Sequence, residues 1–157
     1  MRMPFRPALL CPLLAVAACA PSLIPGTQIK DAPENRAALQ VLSDYKRAAE
    51  ALDADAVLDL VAHDYFDSGT KSRSKRSVDY AALQEQIPAE FRRLKALRMD
   101  ITVKDARVEG DKAQIDYFLV LHYSMALPSG EKWMSESDDA RLSLAKENGK
   151  WKVIAGL

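Results

Sequence analysis

Two cysteines, two histidines, six glycines and 7% aromatic residues are all this 157-residue chain holds of the residue types that build disulfide frameworks, metal cages and phosphate-cradling loops. A disulfide-stapled scaffold is excluded, and none is needed, because a domain of roughly 100–150 residues buries about two thirds of its unfolded surface. Two histidines fall short of the three protein ligands, usually His, Cys or carboxylate, that catalytic zinc wants, so no metal or cofactor is expected. No glycine-rich phosphate loop, serine elbow or cysteine nucleophile motif occurs. Charge of one sign is missing as well: 22 Lys+Arg balance 22 Asp+Glu, without the basic excess a nucleic-acid binder uses to replace counterions. The N-terminal apolar stretch from Ala8 to Ala18 is too short for a bilayer span, which takes about 20 residues.

That stretch fits an export signal instead. Arg2 and Arg6 precede it, and it ends in Val16-Ala17-Ala18-Cys19, which resembles the bacterial lipobox in which small residues lead to a lipidated cysteine. Ordinary secretion through an Ala15-Val16-Ala17 cleavage site is the alternative. The lipobox reading implies removal of residues 1–18, with Cys11 among them, and lipid on Cys19. The mature chain then has 20 basic against 22 acidic residues and no free thiol. Residues 19–30, with Pro21, Pro25 and Gly26, read as the lipidated Cys and its tether. The expected location is the bacterial cell envelope, with Cys19 as the membrane contact. Ala20 stands where such lipoproteins carry Asp when held at the inner membrane, which points to the outer membrane, facing the periplasm.

Residues 31–157 read as one domain with helices first and strands after. Asp31-Ala32-Pro33-Glu34 has the form of an acidic N-cap with an early proline. Ala38, Val41, Leu42, Tyr45, Ala49 and Leu52 then recur at helical spacing on one face. Asp53 caps a short second helix. Asp67 to Arg76 is polar and reads as an exposed loop or short strand pair. Ser77 is placed to cap a third helix with apolar positions from Tyr80 to Leu97, kinked or broken near Gln86 by Pro88. From Met99 the period becomes two, with a bulge at Lys104 or Asp105 needed to keep the face. Strands follow at Ala113–Tyr123, Trp133–Ala145 and Trp151–Ile154, separated by turns at Pro128-Ser129-Gly130 and Asn148-Gly149. The fold class is therefore α+β, with helices packed on a curved antiparallel meander of four strands or more.

The helix pair with Tyr45-Lys46-Arg47-Ala48 and Leu58-Asp59-Leu60, the Asp64-Tyr65-Phe66 after it and the closing Gly149-Lys150-Trp151-Lys152-Val153-Ile154 carry a resemblance. From about Asn35 onward the chain resembles the nuclear transport factor 2-like, or SnoaL-like, superfamily of cone-shaped α+β domains. The resemblance implies a conical pocket, used by some members for isomerase, dehydratase or cyclase chemistry and by others for binding alone, so fold leaves activity open.

An enzyme of that kind needs a general acid and base within reach of one substrate. Asp116 and His122 share a strand face but lie roughly 20 Å apart at about 3.3 Å per residue, so they form no dyad. Tyr117 and Tyr123 share the apolar face with Ile115 and Leu119 and read as core aromatics. His63 and Asp67 have i, i+4 spacing, but the helix ends before Asp67. His122 is placed to line a pocket mouth or to pair with a carboxylate on the neighbouring strand such as Asp138, with a satisfied structural histidine as the plainer reading. The pocket candidates are Tyr45, Phe66, Phe118, His122, Trp133 and Asp138, with no residue assigned as catalytic. Lys71, Arg73, Lys75 and Arg76 form a candidate anion-binding loop, for which a solvated surface loop is the plainer alternative. Glu131, Glu136, Asp138 and Asp139 are its acidic counterpart, and the two patches are expected to meet across a homodimer built through the sheet.

These residues favour a non-catalytic envelope lipoprotein binding a small molecule or a protein. A SnoaL-like enzyme, and an adaptor gripping anionic envelope components through residues 71–76, remain the alternatives.

Overall fold

The computed structural model describes residues 22–69, 77–128 and 130–157. The signal segment, Cys19 and the basic residues Lys71, Arg73, Lys75 and Arg76 lie outside the described residues. No helix among the described residues is long and apolar enough to cross a membrane.

Before the first helix, Ser22 to Lys30 folds back on itself. Leu23 bridges Lys30, the Asp31 N–H donates to the Ser22 carbonyl (2.7 Å), and Ile29 enters the core. Helix α1 spans Pro33–Glu50 and buries Ala38, Val41, Leu42, Ala48 and Ala49, the stripe expected from the spacing. Its N-cap is Ala32, with no side-chain cap bond; Asp31 instead grips the Arg36 guanidinium with both carboxylate oxygens. Leu52 does not belong to the helix either. It sits just past the end at φ 54°, where the Leu52 and Asp53 N–H groups turn back to the Ala49 and Ala48 carbonyls. This is a left-handed corner normally given to glycine. Asp53 caps α2 (Ala54–Leu58), accepting from the Ala56 N–H at 3.0 Å.

The segment expected as an exposed loop or short strand pair is flanked by two short strands, β1 (Phe66–Asp67) and β2 (Val78–Asp79), paired antiparallel. Asp79, rather than Ser77, caps α3 (Tyr80–Phe91), because its carboxylate reaches the Ala82 N–H at 2.8 Å. The helix runs through Pro88 without a break. It stops three residues later, and Leu94 and Leu97, expected in the helix, open strand β3 (Leu94–Glu109).

Strands β3, β4 (Lys112–Leu127), β5 (Gly130–Glu147) and β6 (Lys150–Ala155) form an open antiparallel meander in chain order. The β3 bulge falls between Val103 and Asp105, as the parity switch requires, and carries Met99, Ala106 and their alternates onto one face. Ala113, Ile115, Tyr117, Leu119 and Leu121 of β4 share that inner face, as do Ala140, Leu142 and Leu144 of β5. The Asn148-Gly149 turn has φ 51° and 78°, the pattern of a tight two-residue hairpin. Helices cover the inner face and leave the outer one bare, the layering of an α+β cone.

Several attachments among the described residues hold the helical layer to the sheet. The chain at 60–62 runs beside β6: the Ala62 N–H donates to the Val153 carbonyl and the Val153 N–H to the Leu60 carbonyl, at 2.9 and 2.8 Å. Lys46 and Glu50 of α1 hold the Met99 peptide of β3, Lys46 donating to its carbonyl and Glu50 accepting from its N–H at 2.8 Å. The buried Asp67 carboxylate accepts from the Gly69 N–H at 2.7 Å and the Gly156 N–H at 2.8 Å.

Candidate functional site

The inner face of the sheet and the helices enclose an open-mouthed cavity of about 570 Å³. Its walls follow from the periodicities: α1 presents Tyr45 and Ala49, α3 presents Leu83, Ile87 and Phe91, and the strands present Met99, Leu121 and Met125. Alternation along β4 puts Tyr123 on the same face as Leu121, so its ring joins the wall.

Polar groups collect on two sides. Gln86, Glu90 and Arg93 stand at the α3 end. Opposite, the Tyr123 hydroxyl donates to the Glu136 carboxylate at 2.6 Å, a short charge-assisted bond between neighbouring strands. The pairing register explains it: Tyr123 faces Met134, and Glu136 is the next residue on the same face of β5. A smaller depression of about 310 Å³ shares Leu121 and Glu136 with the cavity and extends to Ser137 and Asp138.

Leu157 also lines the cavity. Its N–H donates to the Tyr65 hydroxyl at 3.1 Å. Burial pushes the Tyr65 phenol up to about 12, against the lowering effect of its backbone bond to Leu157. Tyr65 is thus a buried phenol that stays neutral near pH 7.

The six pocket candidates do not meet. Tyr45 lines the cavity, and Asp138 lines the adjoining depression. Phe118, His122 and Trp133 stand on the opposite, outer face: His122 pairs across strands with Ser135 and Arg98, and its Nε2 lies 3.5 Å from the Asp100 carboxylate. Asp138 pairs with inner-facing Leu119, so the expected approach of Asp138 to His122 is blocked by the sheet itself. Phe66 is on β1, 59% exposed, outside the cavity lining. His63 lies edge-on to Tyr80 with ring centroids 4.8 Å apart, while Asp67 is taken up by backbone donors. Asp116 forms a two-pronged pair with Arg141, at 2.6 and 3.0 Å, which raises the Arg141 pKa through the hydrogen bond first and charge second. Among the described residues no group of three or more His, Cys, Asp or Glu is gathered to hold a metal ion.

Tyr123 and Glu136 are the site residues that reading by type missed. The signal lies in the β4–β5 register, in which Leu127 pairs with Gly130 and Tyr123 with Met134.

No protein-family profile matches this chain, and no curated protein matches it. Solved structures do. A conserved protein from Planctomyces limnophilus DSM 3776 superposes with a TM-score of 0.68 at 12% identity, over 78% of this chain and 92% of that one. A ketosteroid isomerase-like protein from Erwinia carotovora atroseptica SCRI1043 gives 0.64 at 15% identity, over 79% and 93%. A candidate dehydratase from the NTF2-like family of Streptomyces avermitilis gives 0.64 at 12% identity, over 77% and 92%. At these identities the likeness establishes the fold alone: helices on a curved antiparallel sheet, an α+β cone like that of the NTF2-like neighbour. It says nothing of the chemistry.

Proposed function

We propose that this chain is an exported envelope lipoprotein, anchored through Cys19 at the outer membrane, whose cone domain binds an apolar small molecule carrying a hydrogen-bonding group. The observation that carries the binding reading is the cavity of about 570 Å³, within the size range of small-molecule sites, with apolar walls and the Tyr123–Glu136 pair on one side. The anchoring reading is supported by the order of charge, apolar core, small residues and Cys19 in the sequence.

Native mass spectrometry of the chain from Ala20 to Leu157, purified gently after export, tests it. A reproducible adduct lost on activation, and weakened roughly tenfold or more in Tyr123→Phe or Glu136→Gln, is the expected result. A clean apo mass from every preparation removes the small-molecule reading. Mass spectrometry of the full-length product from membranes reports a diacylglyceryl-type mass on Cys19 if the chain is anchored, and an unmodified N-terminus if it is not.

A second reading is catalytic. A phenol bonded to a carboxylate beside an apolar cavity is an arrangement suited to moving a proton, and some solved structures of the same fold are named as isomerase-like or as dehydratases. Turnover of a ligand identified by mass, lost in Glu136→Gln while binding persists, would establish it. In the binding reading the ligand leaves unchanged.

The exposed Phe118 on the outer sheet face supports a homodimer through that face, which the same spectra report as subunit number.

A further inference from the structure

The three outer flanks of the sheet are treated differently. At β3 the Met99 peptide is occupied by Lys46 and Glu50, and at β6 the Val153 peptide is occupied by residues 60–62. Strand β5 has β4 on one side along its whole length, but β6 joins its other side only from Ser143 onward. Residues Glu131 to Ala140 therefore present an unpaired main-chain edge among the described residues. Nearly every side chain along it, from Glu131 to Asp139, is exposed.

An edge of this length is a template for another strand unless its side chains forbid it. Here they are selective. The run carries Glu131, Glu136, Asp138 and Asp139 against Lys132 alone. Asp139 is matched by Lys104, while Glu131 and Asp138 make no ion pair among the described residues. A second copy of β5 laid along this edge would bring four carboxylates and one lysine against the same set, an arrangement that like charges oppose. An extended segment with basic residues meets the opposite condition.

We propose that the Glu131–Ala140 edge of β5 is a docking site for an extended, basic peptide segment of a partner protein, which adds to the sheet as an antiparallel strand. Main-chain bonds supply the pairing, and the carboxylates choose the sequence. The register dictates the pattern. A residue opposite Asp138 and another opposite Glu136 are two apart and share the inner face. The residue three further on lies opposite Trp133, whose ring is 54% exposed and suits an aromatic or arginine side chain. A basic residue two beyond that meets Glu131.

The probe is the capped peptide Lys-Thr-Lys-Thr-Val-Tyr-Thr-Lys, fluorescein-labelled and titrated with the chain by anisotropy. Its affinity is expected to fall roughly tenfold or more from low to high salt, as attraction between partly exposed charges is screened. It should fall comparably in the double variant Glu131→Lys, Asp138→Lys. N-methylation at alternate backbone nitrogens discriminates strand addition from loose electrostatics. Methyl groups on the peptide edge facing β5 abolish binding, whereas methyl groups on the other edge leave it intact. Equal tolerance of both methylation patterns, equal binding of the peptide with Glu for every Lys, or no binding at millimolar peptide would each overturn the proposal. So would a dimer in sedimentation equilibrium that the double variant dissociates, since the edge would then belong to a second copy.

Discussion

The Asp67 carboxylate accepts a hydrogen bond from the Gly156 N–H at 2.8 Å, joining positions 89 residues apart. Its other oxygen holds the Gly69 N–H, so one buried side chain ties the β1 turn to the end of β6. Gly156 reaches this carboxylate at φ 103°, with its Cα so close to β5 that a Cβ would lie 1.9 Å from the Arg141 carbonyl oxygen. Asp67→Ala is expected to cost about 2–3 kcal/mol by orphaning a buried donor. Gly156→Ala should cost at least as much and also release Leu157 from the cavity. Chemical denaturation reads the first; loss of ligand retention accompanies the second.

Tyr65 makes stability fall at alkaline pH. The folded phenol titrates at about 12, above its ordinary value of 10, so between these values the unfolded chain has lost a proton the folded chain keeps. Stability from this group is complete below pH 10 and declines as pH rises toward 12, by roughly 3 kcal/mol in total. Denaturant midpoints measured across that window should drop in the native chain and stay flatter in Tyr65→Phe. Equal slopes in the two proteins would refute the assignment.

The Glu50–Met99 bond protects a strand edge with a side chain. Glu50→Ala should speed hydrogen exchange at the Met99 amide far more than at Leu119 or Leu142 in the sheet interior, where a global cost of about 1 kcal/mol raises exchange only roughly fivefold. Exchange that accelerates everywhere equally would show the bond to be a global determinant instead.

Ser124 is fully buried on β4, and its hydroxyl has no hydrogen-bond partner among the described residues. It sits between Ala96 and Trp133 in the sheet. Ser124→Ala removes an unsatisfied polar group, so the expected change is neutral to about 1 kcal/mol stabilising. A clear destabilisation would mean the hydroxyl has a role that the packing conceals.

Periodicity made α1, the β3 bulge and the β4 face legible, because each is a repeat in which burial and sequence agree. Leu94 and Leu97 misled for the same reason: they continue the helical spacing of Leu83, Ile87 and Phe91, and only tertiary pairing with β4 turns them into strand. Asp31 misled because a carboxylate near a helix start has two uses, and Arg36 claimed it. At the site, Tyr45 was visible from its helix face. Phe118, His122 and Trp133 were chosen by residue type, yet strand alternation sends them to the outer face. Tyr123 and Glu136 meet only across strands, where the deciding information is the register rather than either residue.

The unequal strand lengths have a mechanical consequence. With β6 only six residues long against eighteen for β5, the sheet is a beam clamped at one end and free at the other. Glu136 rides on the free span, whereas Glu90 and Arg93 across the aperture stand on or beside α3. For such a beam, deflection under a given load grows as the cube of the overhang. Trimming the Leu127–Gly130 tip by a residue pair should therefore stiffen the aperture without touching a single residue that lines it.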